Sequence, residues 1–586
     1  MPITDMAKLM IPQLTSTQGL ILATALTSVV WLAYVRLCRI KSPYPLPPGP
    51  PGRLLIGNVG QLSDDHPELD YIRWGKEYSS DVICLNTLGQ HMICLNSTQA
   101  ATDLLDRRGG NYCDRPRFTL FEIMGWGLTL TFLRWGPRFK LHRRLFQNNL
   151  TPTAIRAYQP IQEHEARKAV RTLLDNPEDW EETALVMTTS IIFRIAFGQE
   201  VYDKSSPYCA MSKAASDVTT NGGIAGATLV DVFPPARFLP RFLNPSPPLR
   251  HAYRSRPAIR RIHEEPWAAN MADIEKGTAA PSFMKKQFEQ YRATVRAGRP
   301  TEMTLADIKG ATGAMFIAGG NSTWGTVLSC MLFLTKYPDI QASLAADIDR
   351  VLSRPSSSSP PGRHHGGKDG GGGHPETTED DGSYRHQEGA KDPRKPNRLP
   401  TFRDRPALRS LDDFVMETMR CLPLNPLNIP HAPLAADVYR GMRIPAGATV
   451  FANTTAIARD PGTYASPGVF DPRRYHGGDD GDDGARGRGE PYPWGNFGYG
   501  RRRCPGNHLA LASVHLFLAT LLAVFELRMV RGPDGELRVP VPGVSVGLGG
   551  HPDKFECEIV VRNEDMARVL KEEEEDGGGG GRERGA

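Results

Sequence analysis

One segment near the C-terminus constrains this chain more than any other. It runs from Phe497 to Gly506 (FGYGRRRCPG) and is followed at once by an apolar helical pattern (NHLALASVHLFLATLLAVF). Cys504 therefore lies at a helix start, beside the arginine run 501–503, where backbone N–H groups, the helix dipole and positive charge favour a thiolate. The glycines let the backbone approach a flat group closely. A lone thiolate presented in this way is typical of an axial sulfur ligand to haem iron.

The remaining composition excludes several other classes of protein. Nine cysteines in 586 residues, with no C-x-x-C pair and no Cys/His cluster at zinc spacing, exclude a disulfide scaffold and a zinc module. A net charge of +5 is too close to balance to indicate a nucleic-acid binder. A hydrophobic fraction of 40% is sufficient for a substantial core.

The cysteine segment matches every fixed position of the F-x-x-G-x-R-x-C-x-G signature of the cytochrome P-450 superfamily, the haem-thiolate monooxygenases. The matching residues are Phe497, Gly500, Arg502, Cys504 and Gly506. The chain resembles this family, and in its order of segments the fungal members devoted to secondary metabolism. The resemblance implies a mainly α-helical single large domain with small β-sheets. It also implies haem b, with Cys504 as the iron ligand and Arg502 as a propionate partner.

Two further segments resemble the family's scaffold motifs. Glu417 and Arg420 fit its E-x-x-R helix, in which side chains three residues apart can pair. Arg474, in FDPRRY, stands in the arginine place of the family's P-E-R-F segment, with Arg473 replacing the usual acid and Tyr475 the usual phenylalanine. The resemblance implies that Glu417, Arg420 and Arg474 form a structural triad.

A basic stretch around residue 139 (RFKLHRR) resembles the family's W-x-x-x-R helix. Phe139 stands where tryptophan is usual, so an indole hydrogen bond to a haem propionate is lost, whereas Arg143 keeps the charged partner. His431 is a further candidate partner of a propionate. The basic helix also suits docking of an acidic flavoprotein reductase, with a merely solvated basic face as the alternative.

The segment AGGNST at 318–323 resembles the family's oxygen-binding motif A-G-x-(D/E)-T-(T/S), within a long apolar helical stretch. Asn321 replaces the acid and Ser322 the first threonine, while Thr323 is retained. Serine keeps a hydroxyl that can hold oxygen or water, but asparagine cannot relay a proton as a carboxylic acid does. The sequence therefore predicts an intact oxygen groove with an impaired proton route.

The N-terminus predicts a membrane anchor. Residues 9–35 carry no charge, and an apolar run at 19–35 is long enough for a helix at about 18–37 to cross a bilayer. A cleavable signal peptide is the alternative, but no small-residue cleavage site follows, and Arg36, Arg39 and Lys41 come after the apolar run. These charges place the body of the protein in the cytosol, on the endoplasmic reticulum.

Composition then divides the chain into segments. An anchor segment at 1–41 is followed by a proline-rich, extended hinge at 42–52 and by the haem domain at 53–565. Within that domain, short apolar runs between turn residues at 53–100 predict a small sheet, and apolar periodicity predicts helices around 166–174 and 184–197. Two low-complexity inserts, 355–398 and 477–489, lack apolar periodicity and are predicted to be disordered. An acidic and glycine-rich tail takes up 566–586.

The resemblance implies NADPH-dependent insertion of one oxygen atom into a lipophilic small molecule. The partners would be NADPH–cytochrome P-450 reductase, cytochrome b5 as a second electron donor, and the membrane, without nucleic acid. Substrate contacts would come from about 114–133, 218–240, 313–321, 426–429 and 544–548, which are mostly apolar. Two alternatives stay open: haem-thiolate chemistry without monooxygenation, such as isomerisation or dehydration, and a catalytically impaired membrane haem protein.

Overall fold

The computed structural model describes residues 24, 28, 42–54, 56–238, 246–353, 398–476, 489–544 and 547–578, with side chains up to 573. The predicted inserts lie outside the described residues except for Arg398 and Gly489. Of the predicted anchor, only Thr24 and Ser28 are described; both are helical, and Ser28 Oγ donates to the Thr24 carbonyl at 2.7 Å. The rest of that helix lies outside the described residues.

The described chain is mainly α-helical, as expected. In chain order its α-helices are α1 (Pro67–Glu77), α2 (Thr98–Ala101), α3 (Thr119–Met124), α4 (Pro137–Asn149), α5 (Gln159–Asp175), α6 (Trp180–Phe197), α7 (Pro207–Thr220), α8 (Leu229–Val232), α9 (Pro247–Lys276), α10 (Phe283–Arg296), α11 (Leu305–Lys336), α12 (Pro338–Leu352), α13 (Arg409–Cys421), α14 (Thr454–Ala458), α15 (Asn507–Val524) and α16 (Glu564–Gly578). A π-helical turn, Thr102–Arg107, continues α2.

The strands form three small sheets. They are β1 (Val82–Thr87), β2 (Gln90–Leu95), β3 (Asp437–Tyr439), β4 (Met442–Ile444), β5 (Thr449–Ala452), β6 (Phe525–Arg528) and β7 (Glu558–Val561). Strand β2 pairs antiparallel with β1 and parallel with β5, which confirms the sheet predicted within residues 53–100. Strands β3 and β4 form one antiparallel hairpin, and β6 and β7 form another antiparallel pair.

The chain forms two compact units. The large unit comprises residues 48–436 and 445–586 and holds all of the labelled helices together with the β1–β2–β5 and β6–β7 sheets. The small unit comprises residues 1–47 and the β3–β4 hairpin, in which the Arg443 N–H donates to the Pro45 carbonyl at 2.7 Å.

Helices α11 and α15 are central to the core of the large unit. Both are apolar on nearly every side, and a helix of that composition requires burial all round. A capping box formed by Thr304 and Asp307 starts α11, which packs against α6, α7 and α9. Among the described helices, α15 alone is long and apolar enough to cross a bilayer, but 83% of it is buried in the fold, as expected of a core helix.

The ordered body extends beyond residue 565. Helix α16 covers the first part of the predicted tail and buries Met566 and Leu570 completely. Arg171 of α5 donates to the Leu570 carbonyl at 2.8 Å, and Arg167 pairs with Glu573 at 3.0 Å. The acidic composition that indicates a tail therefore belongs in part to the exposed face of a packed helix.

Candidate active site

The Cys504 loop is held in place by backbone contacts from two directions. The Cys504 N–H donates to the Phe497 carbonyl at 2.7 Å, and the Gly500 N–H donates to Asp106 Oδ1 at 2.6 Å. Gly500 has a positive φ of 50°, and a Cβ there would lie 2.3 Å from the Leu105 carbonyl oxygen. The loop therefore requires glycine at 500, both for its conformation and for the close approach of the π-helical turn.

The Cys504 thiol faces an opening inside the protein. It is exposed, unlike the other cysteines in the described part of the chain, yet desolvation by surrounding protein is the largest influence on its pKa. Both observations hold when a side chain lines an internal gap. Burial raises the pKa of the thiol, whereas the N–H groups of Gly506 and Asn507 and the charge of Arg143 lower it.

This balance differs from the simple expectation of a pre-formed thiolate. Of the run 501–503, Arg501 lies over the Trp135 ring, and Arg503 approaches Asp106 at 3.8 Å. The charge that acts on the thiol belongs to Arg143 of α4. Desolvation affects the pKa of the thiol more than the charge of Arg143 does. The thiolate form would therefore depend on a cation bound to the sulfur, such as iron.

A cluster of cations lies beside this opening. Arg502 donates to the carbonyls of Cys113 at 2.6 Å and Leu133 at 2.8 Å, while its Nη2 is buried without a hydrogen-bond partner among the described residues. Burial lowers the pKa of Arg502 to about 10, although the neighbouring Asp114 and Cys113 partly oppose the shift. Arg143 donates to the Arg503 carbonyl, and its Nε is likewise buried and unpaired in the described structure.

Arg115 joins this cluster, although its sequence context did not single it out. It is 4% exposed, and its Nη1 donates to the carbonyls of Ile429 at 2.6 Å and Pro430 at 2.8 Å. Burial, and then the neighbouring charge of Arg502, hold the pKa of Arg115 well below its usual range. Only the fold brings these two guanidinium groups together, so no local sequence signal marked Arg115.

His431 lies in the same cluster. Its Nδ1 is 2.8 Å from the Tyr112 carbonyl. Burial, and then the neighbouring charge of Arg115, hold the pKa of the imidazole well below its usual range. The role of His431 toward a propionate stays a prediction, and Arg115 joins it as a second candidate.

The site fits a haem on two counts. Cys504 is exposed while surrounding protein desolvates its thiol, as expected of a side chain that lines an internal gap. Arg502 Nη2 and Arg143 Nε are buried donors left without partners among the described residues, and two propionates would supply the missing acceptors.

Phe139 has a defined function in place of the expected tryptophan. It is 2% exposed, and the Arg502 guanidinium carbon lies 3.7 Å from the centre of its ring. A cation over an aromatic face is stabilised most where water is excluded. Phe139 therefore supports the Arg502 guanidinium with the face of its ring. Unlike tryptophan, it has no N–H to donate to a propionate.

Helix α11 presents a groove of small residues. Ala318 is exposed and Ser322 half-buried in a helix that is otherwise mostly buried, so both face an internal opening. Ser322 Oγ donates to the Ala318 carbonyl at 2.6 Å, which leaves its oxygen able to accept another hydrogen bond. Gly319 allows Ile192 of α6 to pack against the helix, and Thr323 is buried at 5% exposure.

Asn321 points away from that groove. It is 6% exposed and contacts α7, where its amide meets Ser212 and Ser216. The structure thus separates the three predicted oxygen-site residues: Ser322 lines the opening, Thr323 lies inside the core, and Asn321 bonds to a neighbouring helix.

The predicted triad residues converge on one buried carboxylate. Arg420 donates through two nitrogens to both oxygens of Glu417, each at 2.8 Å, and Arg474 Nε lies 3.0 and 3.1 Å from the same oxygens. Tyr475 Oη donates to Glu417 at 2.8 Å, a bond that a phenylalanine could not make. Arg473 lies outside this cluster, with 68% of its side chain exposed, and pairs with Asp471.

The sequence analysis did not single out two polar side chains near α11, His263 and Trp126. His263 of α9 lies against Gly313, where a Cβ would be 2.8 Å from its Nε2, and its Nδ1 bonds to the Ile259 carbonyl at 2.9 Å. Trp126 packs edge-on against His263, with ring centroids 6.1 Å apart, and its Nε1 is buried and unpaired in the described structure. Helix α9 is separated by over 100 residues from Trp126, so no local pattern could connect them.

Three of the five predicted substrate segments meet at one cavity. Its walls include Ile224 and Ala225, the turn 426–428, and Val544 with residues 547–548. The cavity is therefore built mainly from loops that follow helices or strands, which is usual for binding sites.

Comparison with known proteins agrees with this geometry. The cytochrome P450 family model matches residues 47–361 and 386–555. A cytochrome P450 monooxygenase of Armillaria gallica is 29% identical over 93% of this chain and 97% of its own length. The tryptamine 4-monooxygenase of Psilocybe cyanescens is 29% identical over 94% and 99%, and cytochrome P450 monooxygenase 208 of Postia placenta is 30% identical over 90% and 92%. The chain therefore belongs to the cytochrome P450 family of haem-dependent monooxygenases.

Proposed function

We propose that this P450 inserts one atom of molecular oxygen into a lipophilic organic substrate, as a tailoring step in fungal secondary metabolism. The similarity to fungal monooxygenases, among them one named tryptamine 4-monooxygenase, supports the pathway class. The mostly apolar composition of the predicted substrate segments supports a lipophilic substrate. The carrying observation is that two buried nitrogens near the exposed Cys504, Arg502 Nη2 and Arg143 Nε, have no hydrogen-bond partner among the described residues.

Haem, when bound, supplies the activation of oxygen, with electrons that originate from NADPH. Cys504 would provide the sulfur ligand from a loop that glycine and backbone bonds hold rigid. Arg502, Arg143 and Arg115 would hold the carboxylates of the cofactor, and Phe139 would fix the Arg502 guanidinium.

Proton supply would depend on Ser322. Its hydroxyl hydrogen is engaged with the Ala318 carbonyl, so its oxygen can accept from a water molecule and order that water in the groove. Asn321 is bonded to α7 and has no titratable proton, so it contributes none.

We further propose a single-pass anchor in the endoplasmic reticulum, with the catalytic body in the cytosol. The charge-free run and the basic residues after it support this orientation. The reductase, and cytochrome b5 as a second donor, would dock on the exposed basic side chains of α4, Lys140 and Arg144.

The test combines product analysis with a measurement of NADPH consumption. Metabolites that differ between the native strain and a strain lacking this chain are supplied to the membrane-bound enzyme with reductase and NADPH under ¹⁸O₂. We expect substrate-stimulated NADPH consumption and one labelled oxygen in the product. Conversion that proceeds without NADPH and leaves the product unlabelled would instead establish isomerase or dehydratase chemistry.

A further inference from the structure

The amide of Asn321 fits the backbone of α7 at both of its ends. Oriented so that each end is satisfied, Nδ2 donates to the Ser212 carbonyl at 3.1 Å and to Ser212 Oγ at 2.9 Å, while Oδ1 accepts from the Ser216 N–H at 3.0 Å. The three side chains are 6%, 2% and 3% exposed. Ser212 and Ser216 are four residues apart, so the amide spans one turn of the helix.

These contacts determine which type of side chain fits at position 321. Position 321 faces one acceptor and one donor, and an amide supplies the complementary donor and acceptor. An aspartate carboxylate could accept from the Ser216 N–H, but it would place a second acceptor against the Ser212 carbonyl. Asparagine is therefore the residue that this helix contact requires.

Helix α7 connects the contact to two of the predicted substrate segments, 218–240 and 544–548. Near its C-terminal end the Leu548 N–H donates to the Thr219 carbonyl at 3.3 Å, and a Cβ on Gly547 would lie 2.0 Å from the Thr220 carbonyl oxygen. Leu548 and Gly547 line the cavity described above. At the other end of the contact, Asn321 directly precedes Ser322 of the groove.

We propose that Asn321 is a positioning residue that clamps α7 to α11 and so sets the substrate wall relative to the Ala318–Ser322 groove. The replacement of the usual acid is then a structural adaptation, and no proton passes through position 321. The link to oxidation rests on the proposed function of that groove, whereas the clamp itself does not.

Three variants test the clamp, each compared with the wild type at the same pH in the haem-loaded protein. Asn321→Asp is isosteric and, when protonated, still donates and accepts; Asn321→Leu can do neither. Ser329→Ala is the matched control, because Ser329 is buried on the same helix and bonds only to the Gly325 carbonyl. No ionisable side chain of the described residues is bonded to Asn321, Ser212 or Ser216, and Lys213 of α7 pairs instead with Glu182 of α6.

The first measurement is hydrogen exchange in peptides of α7 at pH 6 and pH 8.5. Burial raises the pKa of a carboxyl, so the introduced acid is mostly protonated at the lower pH and ionised at the higher. We expect Asn321→Asp to exchange near the wild-type rate at pH 6 and about 10-fold faster at pH 8.5. Peptides of α7 should exchange faster than in the wild type at both values of pH in Asn321→Leu, and at neither value in Ser329→Ala.

The second measurement is the ratio of product formed to NADPH consumed, with the substrate identified by metabolite comparison. The clamp predicts that Asn321→Asp lowers this ratio at pH 8.5 and recovers it at pH 6. If Asn321→Asp exchanges at the wild-type rate at both values of pH, the clamp is overturned. A ratio of product to NADPH that is higher in Asn321→Asp than in the wild type at pH 8.5 would show that the acid restores a proton route. If the wild type makes no oxygenated product, the proposed function fails while the exchange result still decides the clamp.

Discussion

At the scale of single residues, three departures from the family pattern have partners in the fold. Phe139 supports the Arg502 guanidinium, Tyr475 donates to Glu417, and Asn321 bonds to α7. Along the sequence, Phe139 indicates a lost hydrogen bond to a propionate and Asn321 an impaired proton route. In the structure each satisfies a buried charge or a buried polar group, where an unpaired group would cost about 1–3 kcal/mol.

Replacement of the proposed iron ligand gives the most direct residue-scale prediction. Cys504→Ser should abolish the absorption band that thiolate ligation gives to the reduced carbon monoxide complex, because serine offers no soft sulfur donor. Cys113→Ser is the control, since Cys113 is buried near Arg502 and only its carbonyl contacts that side chain. Retention of the band in Cys504→Ser would identify another cysteine as the ligand.

The unpaired Arg502 nitrogen predicts a role in cofactor retention. Arg502→Leu should release haem at least about 10-fold faster, because a charge-assisted hydrogen bond contributes about 1.5–3 kcal/mol. Transfer of haem to excess apomyoglobin measures the rate. Arg501→Gln, which alters the exposed neighbouring arginine over Trp135, should release haem at the wild-type rate. Equal rates for both variants would remove Arg502 from the proposed site.

At the scale of elements, the short helix α8 is fastened to α3 by a buried carboxylate. Asp231 Oδ1 accepts from the Leu120 N–H at 3.0 Å, and Oδ2 accepts from Thr228 Oγ1 at 2.7 Å. Desolvation nevertheless raises the pKa of Asp231 to about 6, and its hydrogen bonds only partly oppose the shift. Residues 114–133 and 218–240, both predicted to contact substrate, meet through this link.

The raised pKa of Asp231 predicts a pH-dependent stability. A folded pKa above the unfolded value of about 3.9 means that the ionised form costs stability, by about 3 kcal/mol once the pH exceeds 6 and by nothing below about 4. Asp231→Asn removes that cost. Its unfolding temperature relative to the wild type should therefore rise between pH 4.5 and pH 7.5.

Asp217→Asn, at an exposed position on α7, is the control for this comparison and should show no such trend. A difference between Asp231→Asn and the wild type that is the same at every pH would show that the carboxyl is already neutral, or that its pKa is not raised.

At the scale of the whole molecule, the low-complexity insert is predicted to be dispensable. It begins after α12 and ends before α13, and the family model matches the chain on both sides but skips residues 362–385. Replacing 355–398 with a short Gly/Ser linker should leave haem content and turnover nearly unchanged, since loop length alters stability only slowly. A large loss of either would show that the insert packs on the body or recruits a partner.

The sequence by itself determined the family and the mainly helical class, because each depends on local order along the chain. A ten-residue loop before an apolar helix, or apolar residues at every side of α11, is visible without coordinates. The existence of the β1–β2 pair and of helices at 166–174 and 184–197 also followed from local periodicity, and the structure confirms them.

Only the tertiary structure decided which polar groups lie together. The proximity of Arg115 to Arg502, the contact of Asn321 with Ser212, and the packing of Trp126 against His263 join segments more than 100 residues apart. Tertiary structure also decided that the packed domain continues past residue 565, because α16 buries Met566 while its acidic side chains form the exposed face. Burial and hydrogen-bond satisfaction depend on every element that surrounds a side chain, and that surrounding exists only after the chain has folded.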